Sequence, residues 1–245
     1  NFLNKYRNED PLTGRVAQRA FNSLREYRSN TREGTLNSLL TYNKVLDNHK
    51  FTGLLGYSTI EHETNYITGY RQEFYNNDVQ SLSQGSNENR DATGVDSEWG
   101  LRSYFARLNY NYNDRYFFEV NARYDGSSRF NKDNRYSFFP SFSAGWRLSE
   151  ESFWSEWKDV INEFKLRGSY GGTGNQAVGL YSFYETLSAI NYSFNESPVQ
   201  GFTQTNLANQ NLTWETTYQT NVGFDMGMLE DRVSLTFDYY DKTTD

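Results

Sequence analysis

The sequence predicts an all-β protein, a partial transmembrane antiparallel β-barrel with about nine strands present. Three observations predict it. Side chains alternate apolar and polar with a period of two across Leu101–Glu151. The alternating segments run about 11 residues, enough to cross a bilayer when tilted near 45°, whereas ordinary strands stop at about 5–6. Connections between them sort into a short set and a long set, as the two sides of an outer-membrane barrel require.

The alternation is clearest in three segments. Tyr104, Ala106, Leu108, Tyr110 and Tyr112 share one parity, against Ser103, Arg107, Asn109, Asn111 and Asn113. After a turn at Asn113-Asp114-Arg115, Tyr116, Phe118, Val120, Ala122 and Tyr124 alternate with Arg115, Glu119, Asn121, Arg123 and Asp125. An Asp125-Gly126 turn and a polar loop are expected next. Tyr136, Phe138, Phe142, Ala144, Trp146 and Leu148 then alternate with Arg135, Ser137, Ser141, Ser143 and Arg147.

A soluble sandwich would bury the apolar parity against a second sheet, and a membrane barrel would turn it to lipid. The barrel fits better. Tyr112, Tyr116 and Trp146 would form one aromatic girdle, with Tyr104, Tyr124 and Tyr136 forming the other. Arg107, Glu119, Arg123 and Arg147 all occupy the polar parity in mid-strand. A one-residue slip would turn each Arg to lipid, at roughly 2–4 kcal/mol near the midplane.

Taken in chain order, Arg15–Tyr27 reads as an irregular strand, with an amphipathic helix as the alternative. Gly34–Leu46 follows, its Lys44 placed near the interface, where the stem can snorkel. Asp47-Asn48-His49-Lys50 is a short turn, and Phe51–Glu63 the returning strand. Thr64–Gly100 is polar and rich in Asn, Ser and Gly, a long loop by composition. Beyond the three central segments, Ser149–Glu163 reads as one or two helical turns and Phe164–Tyr170 as a strand. Gly171–Leu212 is another long loop, and Thr213–Met228 with Arg232–Tyr239 a hairpin closed at Glu230-Asp231. Bacterial single-chain barrels have an even number of strands. The expectation is therefore one stretch, 1–245, of a larger single barrel domain.

Composition narrows the classes. The chain has 245 residues, a net charge of −7, no Cys, two His, 20 Tyr and 18 Phe. Its mean hydropathy is −0.87, and no apolar run is long enough for a membrane helix. Barrel strands escape such averages because half their residues are polar. Without Cys there are no disulfides or thiolate metal sites, and no basic patch interleaved with aromatics points to nucleic acid. On a strand, Glu61 and Glu63 share a face while His62 points away, so they do not converge on a metal; His49 reads as a turn residue. Gly171-Gly172-Thr173-Gly174 lacks the following Lys-Ser/Thr of a phosphate loop and reads as an exit from a strand. No nucleophile–base set stands out, so no enzyme, cofactor or metal is expected.

Several blocks carry a resemblance. Arg123–Phe130 (RYDGSSRF), Phe138–Phe153 (FFPSFSAGWRLSEESF), Leu166–Gly179 (LRGSYGGTGNQAVG), Leu212–Leu229 (LTWETTYQTNVGFDMGML) and Phe237–Asp245 (FDYYDKTTD) are similar, in order and spacing, to barrel segments of the SusC/RagA family. Those are TonB-linked outer-membrane proteins of Bacteroidetes. The resemblance implies a barrel of about 22 strands, plugged by an N-terminal domain, in the outer membrane of a Gram-negative bacterium. It implies import of oligomeric nutrients, glycans or peptides, with energy from TonB-ExbB-ExbD. A SusD-like lipoprotein lid is implied as partner, and a dimer of barrel–lid pairs is a further expectation. The plug, the TonB box and the last strands fall outside the chain. A non-transporting scaffold within an outer-membrane complex and a soluble all-β binding module are the alternative functions.

Candidate substrate-binding residues fall into two groups. Arg107, Glu119, Arg123, Arg147 and Arg167 would face the lumen, where charge tunes passage, or form ion pairs that hold wall and plug. Trp99, Phe183, Tyr184, Tyr192 and Phe194 lie in or beside long loops, where they would stack on sugars, pack against a lid or stabilise the loops themselves.

Overall fold

A computed structural model describes residues 2–4, 7–9, 16–18, 22–76, 78, 81–194 and 197–245. The strands are β1 (Phe2–Asn4), β2 (Arg7–Glu9), β3 (Val16–Gln18), β4 (Ser23–Leu46), β5 (His49–Gln72), β6 (Asp91–Tyr112) and β7 (Tyr116–Ser127). They continue with β8 (Tyr136–Arg147), β9 (Glu163–Asn175), β10 (Leu187–Phe194), β11 (Ser197–Gln204), β12 (Glu215–Met228) and β13 (Val233–Thr244). One antiparallel sheet has the order β1-β4-β5-β6-β7-β8-β9-β12-β13, with β10-β11 and β2-β3 as separate hairpins. Eight of these nine strands are long; the ninth place belongs to the three-residue β1.

Two compact units divide the chain, Asn1–Gly34 with His62–Glu98, and Thr35–Glu61 with Trp99–Asp245. The division follows from strand length. β4 and β5 have 24 residues and β6 has 22, roughly 70–80 Å each at 3.3 Å per residue. That is about twice what a tilted crossing of a 25–30 Å apolar layer needs. In the first unit the strands are tied by Phe74 N donating to Asn22 Oδ1 (2.7 Å) and by the Tyr27–Tyr66 ring pair, 5.4 Å apart.

In the second unit the register turns the apolar residues of the expected parity to one face, except Leu148, which opens a 3-10 turn beyond the end of β8. Tyr104 stands opposite Tyr124, Leu108 opposite Val120, Phe118 opposite Ala144, and Tyr116 opposite Trp146. Leu108, Phe118, Val120, Tyr124, Phe138, Phe142 and Trp146 are all exposed on that face. Their exposure, with only small buried clusters elsewhere, is what a sheet facing lipid requires. The girdles form as expected: Tyr112, Tyr116 and Trp146 stack in a row at 6.2 and 6.3 Å, and Tyr124 stacks on Tyr136 at 5.0 Å.

Connections alternate short and long along the meander, except that 148–162 between β8 and β9 is long on the short-turn side. Asn113 and Asp114 both have φ of 53°, and Arg115 N donates to Tyr112 O, the left-handed turn that suits a tight hairpin. Leu229, Glu230 and Asp231 repeat the device with φ of 55°, 60° and 61°. Between β8 and β9 run two single turns of 3-10 helix, Leu148–Glu150 and Ser152–Trp154.

Several expected boundaries move. Asp125-Gly126 is no turn: Gly126 pairs with both Arg102 and Tyr136, and the loop occupies 128–135. The reason is the ladder on both sides: Asp125 pairs with Ser103 and Ser137, and Gly126 with Arg102 and Tyr136, which holds the backbone extended. The long polar loop expected at Thr64–Gly100 shrinks to 73–90, because the polar segments 64–72 and 91–100 pair as parts of β5 and β6. His49 and Lys50 open β5 rather than lying in the turn.

Gly171–Gly174 continue β9 instead of leaving it, paired with Gln219, Tyr218, Thr217 and Thr216. A Cβ added at Gly174 would lie 2.1 Å from the Phe139 ring, so glycine here makes room for an aromatic neighbour. The loop expected at Gly171–Leu212 accordingly starts later and carries the β10–β11 hairpin. Of the expected Arg15–Tyr27 strand, Arg15 and 19–21 lie outside the described residues. The remainder divides between β3 and the start of β4.

Candidate functional site

The polar parity of the second unit presents a charged face built on rigid strands. On β9, Arg167 bridges two acids of the final hairpin, donating from Nη2 to Asp238 (2.6 Å) and from Nε to Asp225 (3.1 Å). Gly223 stands between Arg167 and Asp238 in register, with Asp225 two residues along the same strand; the absence of a side chain at Gly223 leaves room for the guanidinium. Arg107 Nε donates to Asn121 Oδ1 at 2.7 Å, and the Asn121 amide donates to Glu119 (2.7 Å) and Ser141 (3.2 Å). An amide thus joins Arg107 to Glu119 across two strands.

Arg123 donates to both Asp125 oxygens (2.8 and 2.6 Å) and to Ser103 Oγ (2.9 Å), with its plane 5.3 Å from the Phe105 ring centre. Phe105 in turn lies over Gly56, where an added Cβ would come within 2.2 Å of the ring. Arg147 lies 3.6 Å from Glu163, donates to Asp114 O (3.3 Å) and sits 5.5 Å from the centre of Phe117.

A cleft of about 600 Å³ opens on this face. Of the five luminal candidates, Glu119 and Arg167 line it. Lys50, Phe117, Lys165 and Asn221 join them, residues the sequence reading did not select. Lys165 Nζ lies 4.7 Å from the Phe117 ring centre, a cation–π contact. The signal for these residues was their parity: 117 and 119 share a face, as do 165 and 167. Phe117 and Phe105 are aromatic residues on the polar parity, where alternation alone gives them no role.

The short-turn end has its own electrostatics. Lys50 Nζ lies 2.8 Å from both Asp114 oxygens. That bond, with a second from Asn111, holds the Asp114 carboxyl below its ordinary range. Glu151 accepts from Tyr116 Oη (2.6 Å) and Trp146 Nε1 (3.0 Å), with Arg115 3.4 Å away. The Tyr116 bond first, then that of Trp146, lowers its pKa.

The five aromatic candidates are not gathered in one place. Trp99 belongs to β6, not to a loop, and the Arg129 guanidinium lies 5.0 Å from its ring centre. Phe183 is buried, while its neighbour Tyr184 is exposed, the two rings 4.2 Å apart. Tyr192 is exposed on β10, and Phe194 is the last residue of that strand. The long connections rest on a small core of Phe130, Phe139 and Trp214. Trp214 Nε1 donates to Arg135 O (2.9 Å), and Arg129 Nη1 to Val178 O (2.7 Å).

His49 pairs with Tyr110 at 2.8 Å and His62 with Glu33 at 3.0 Å. Among the described residues no group of three or more His, Asp or Glu side chains is placed to hold a metal ion.

An alternating antiparallel wall with a lipid-compatible face and a charged opposite face matches one family model, "TonB dependent receptor-like, beta-barrel", over residues 2–245. The chain belongs to that family. TonB-dependent receptor P3 of Formosa agariphila is 35% identical over 216 residues, which are 88% of this chain and 21% of that protein. TonB-dependent receptor SusC of Bacteroides thetaiotaomicron is 38% identical over 160 residues, 64% of this chain and 16% of that one. Among solved structures, the RagAB peptide transporter superposes with a TM-score of 0.79 at 27% identity, covering 91% of this chain and 24% of its counterpart. The chain spans about a fifth of the length of the curated relatives it matches. As a SusC/RagA-like member of the family, it is a section of a transmembrane, outer-membrane type of barrel.

Proposed function

We propose that residues 1–245 are one stretch of the single barrel domain of a TonB-dependent transporter. It lies in the outer membrane of a Gram-negative bacterium and imports oligomeric nutrients such as glycans or peptides. A SusD-like lipoprotein closes it, and TonB-ExbB-ExbD supplies the energy. The observation that carries this reading is the charged strand face, with Arg107, Glu119, Arg123, Arg147 and Arg167 all on one parity and its cleft of about 600 Å³. A polar lumen wall explains that parity, since mid-strand Arg side chains facing lipid would each cost roughly 2–4 kcal/mol.

On this reading the five charged residues set the electrostatics of the passage, with most of their charge held by partners in the wall. Tyr184, Tyr192 and Phe194, on the long connections, are assigned on this reading to contact with substrate or lid. Trp99 and Phe183 serve the framework of those connections. No enzymatic step is assigned, and fold alone does not specify the cargo.

The test uses the full-length protein in its native host. Growth on an oligomeric nutrient should require this gene and TonB together, while growth on the corresponding monomer requires neither. The lipoprotein should co-purify in mild detergent. Uptake that persists without this gene, or a full chain without a TonB box, would replace transport with the scaffold role.

A further inference from the structure

The connection between β8 and β9 is longer than a barrel hairpin needs, and it lies on the outer face of the wall. Two contacts place it there. Glu151 accepts hydrogen bonds from Tyr116 and Trp146, both girdle residues of the apolar parity. The Trp154 ring stacks on Phe164 (5.2 Å, 11° between planes). Phe164 continues through Phe224 to Phe237 at 5.6 Å each, a row across the same apolar face. Trp154 Nε1 is satisfied by Ile161 O at 3.1 Å, which closes the segment on itself.

Pinned in this way, the segment leaves apolar side chains uncovered. Phe153 is 59% exposed, Trp157 60% and Val160 55%. Leu229 of the neighbouring hairpin, whose N–H donates to Val160 O, is exposed too. These side chains extend the girdle just beyond the strand ends, where an apolar ring with a polar edge gains most from the membrane–water boundary. Charge does not select the partner: Glu150, Glu151, Glu156, Asp159 and Glu163 outnumber Lys158, so the segment does not seek anionic headgroups.

We propose that Ser149–Glu163 is an in-plane membrane foot, which inserts Phe153, Trp157 and Val160 into the lipid interface at the short-turn side and fixes the depth of the wall. The proposal rests on the barrel reading above. It assigns the lipid interface as the partner of this connection, recognised through aromatic and aliphatic contact rather than ionic pairing.

Nitroxide labels at Phe153→Cys and Trp157→Cys test it, in the full-length protein freed of other cysteines and reconstituted in phosphatidylcholine vesicles. Leu108→Cys serves as the lipid-belt reference and Asp133→Cys, in the 128–135 loop, as the aqueous one. Labels at 153 and 157 should collide with oxygen far more than with a water-soluble nickel chelate. Their nickel contact should be several-fold below that at 133, and unchanged when anionic phosphatidylglycerol is added. Nickel contact equal to that at 133, with 108 still lipid-like, overturns the foot and leaves the barrel standing. Oxygen contact that appears only in anionic vesicles overturns it as well, because charge would then be the driving force. A water-exposed label at 108 removes the barrel reading and the foot together.

Discussion

Leu108 is the sharpest place to test which face meets lipid. It lies on β6 midway between the girdle residues Tyr104 and Tyr112, opposite Val120, and is 51% exposed. Leu108→Arg puts a guanidinium near the centre of the apolar band, at a cost of roughly 2–4 kcal/mol. At about 1.4 kcal/mol per decade, that is roughly a 30- to 700-fold loss in the folded-to-unfolded ratio. Asn109 is the adjacent residue on the other parity and faces Glu119 in register. Asn109→Arg therefore places a cation beside a carboxylate in a polar setting, and its effect should stay within about 0.5–1 kcal/mol. The assay is reversible urea unfolding of the full-length protein in vesicles, with outer-membrane yield as the cellular counterpart. Equal costs for the two variants, or a larger cost for Asn109→Arg, would refute the assignment of faces.

Four further outcomes follow from particular contacts. Arg167→Ala should cost about 0.5–1 kcal/mol given its partial exposure, and a double-mutant cycle with Asp238→Asn should show coupling. Gly56→Val should displace Phe105 and cost about 1–3 kcal/mol, with Phe105→Ala relieving most of it in the double variant. Trp214→Ala should cost about 3–5 kcal/mol locally and make 128–135 and 176–186 sensitive to limited proteolysis while the strands persist. Glu151 titrates below its ordinary value, so its stabilisation is present in full above about pH 5 and is lost as pH falls through its lowered pKa. The gap in unfolding midpoint between the native protein and Glu151→Gln should therefore be constant from neutral pH to about pH 5 and shrink below it.

The parity of side chains was legible residue by residue. Leu108, Phe118, Val120, Phe142 and Trp146 fall on the exposed apolar face as their alternation requires, because a strand has only two faces and lipid accepts one kind of residue. Turn chemistry was legible where a positive φ is needed, at Asn113-Asp114 and Glu230-Asp231. Asp125-Gly126 misled for the same reason. Its turn-like composition was overridden by pairing with β6 on one side and β8 on the other, long-range contacts that local composition does not show. The polar strands of 62–72 and 91–98 were hidden too, since a strand with no face against lipid can be hydrophilic on both faces and its alternation fades.

By itself the sequence determined the class of wall, the sign of each face and the family, since these depend on local alternation and on the order of short blocks. Tertiary structure alone decided which charges meet. Arg167 with Asp225 and Asp238, and Lys165 over Phe117, join positions up to 71 residues apart, set by strand register and not by any local pattern. It also decided that Glu151 and Trp154 turn outward onto the girdle. A connecting segment has no periodic face of its own, and its direction is fixed only when Tyr116, Trp146 and Phe164 offer it partners.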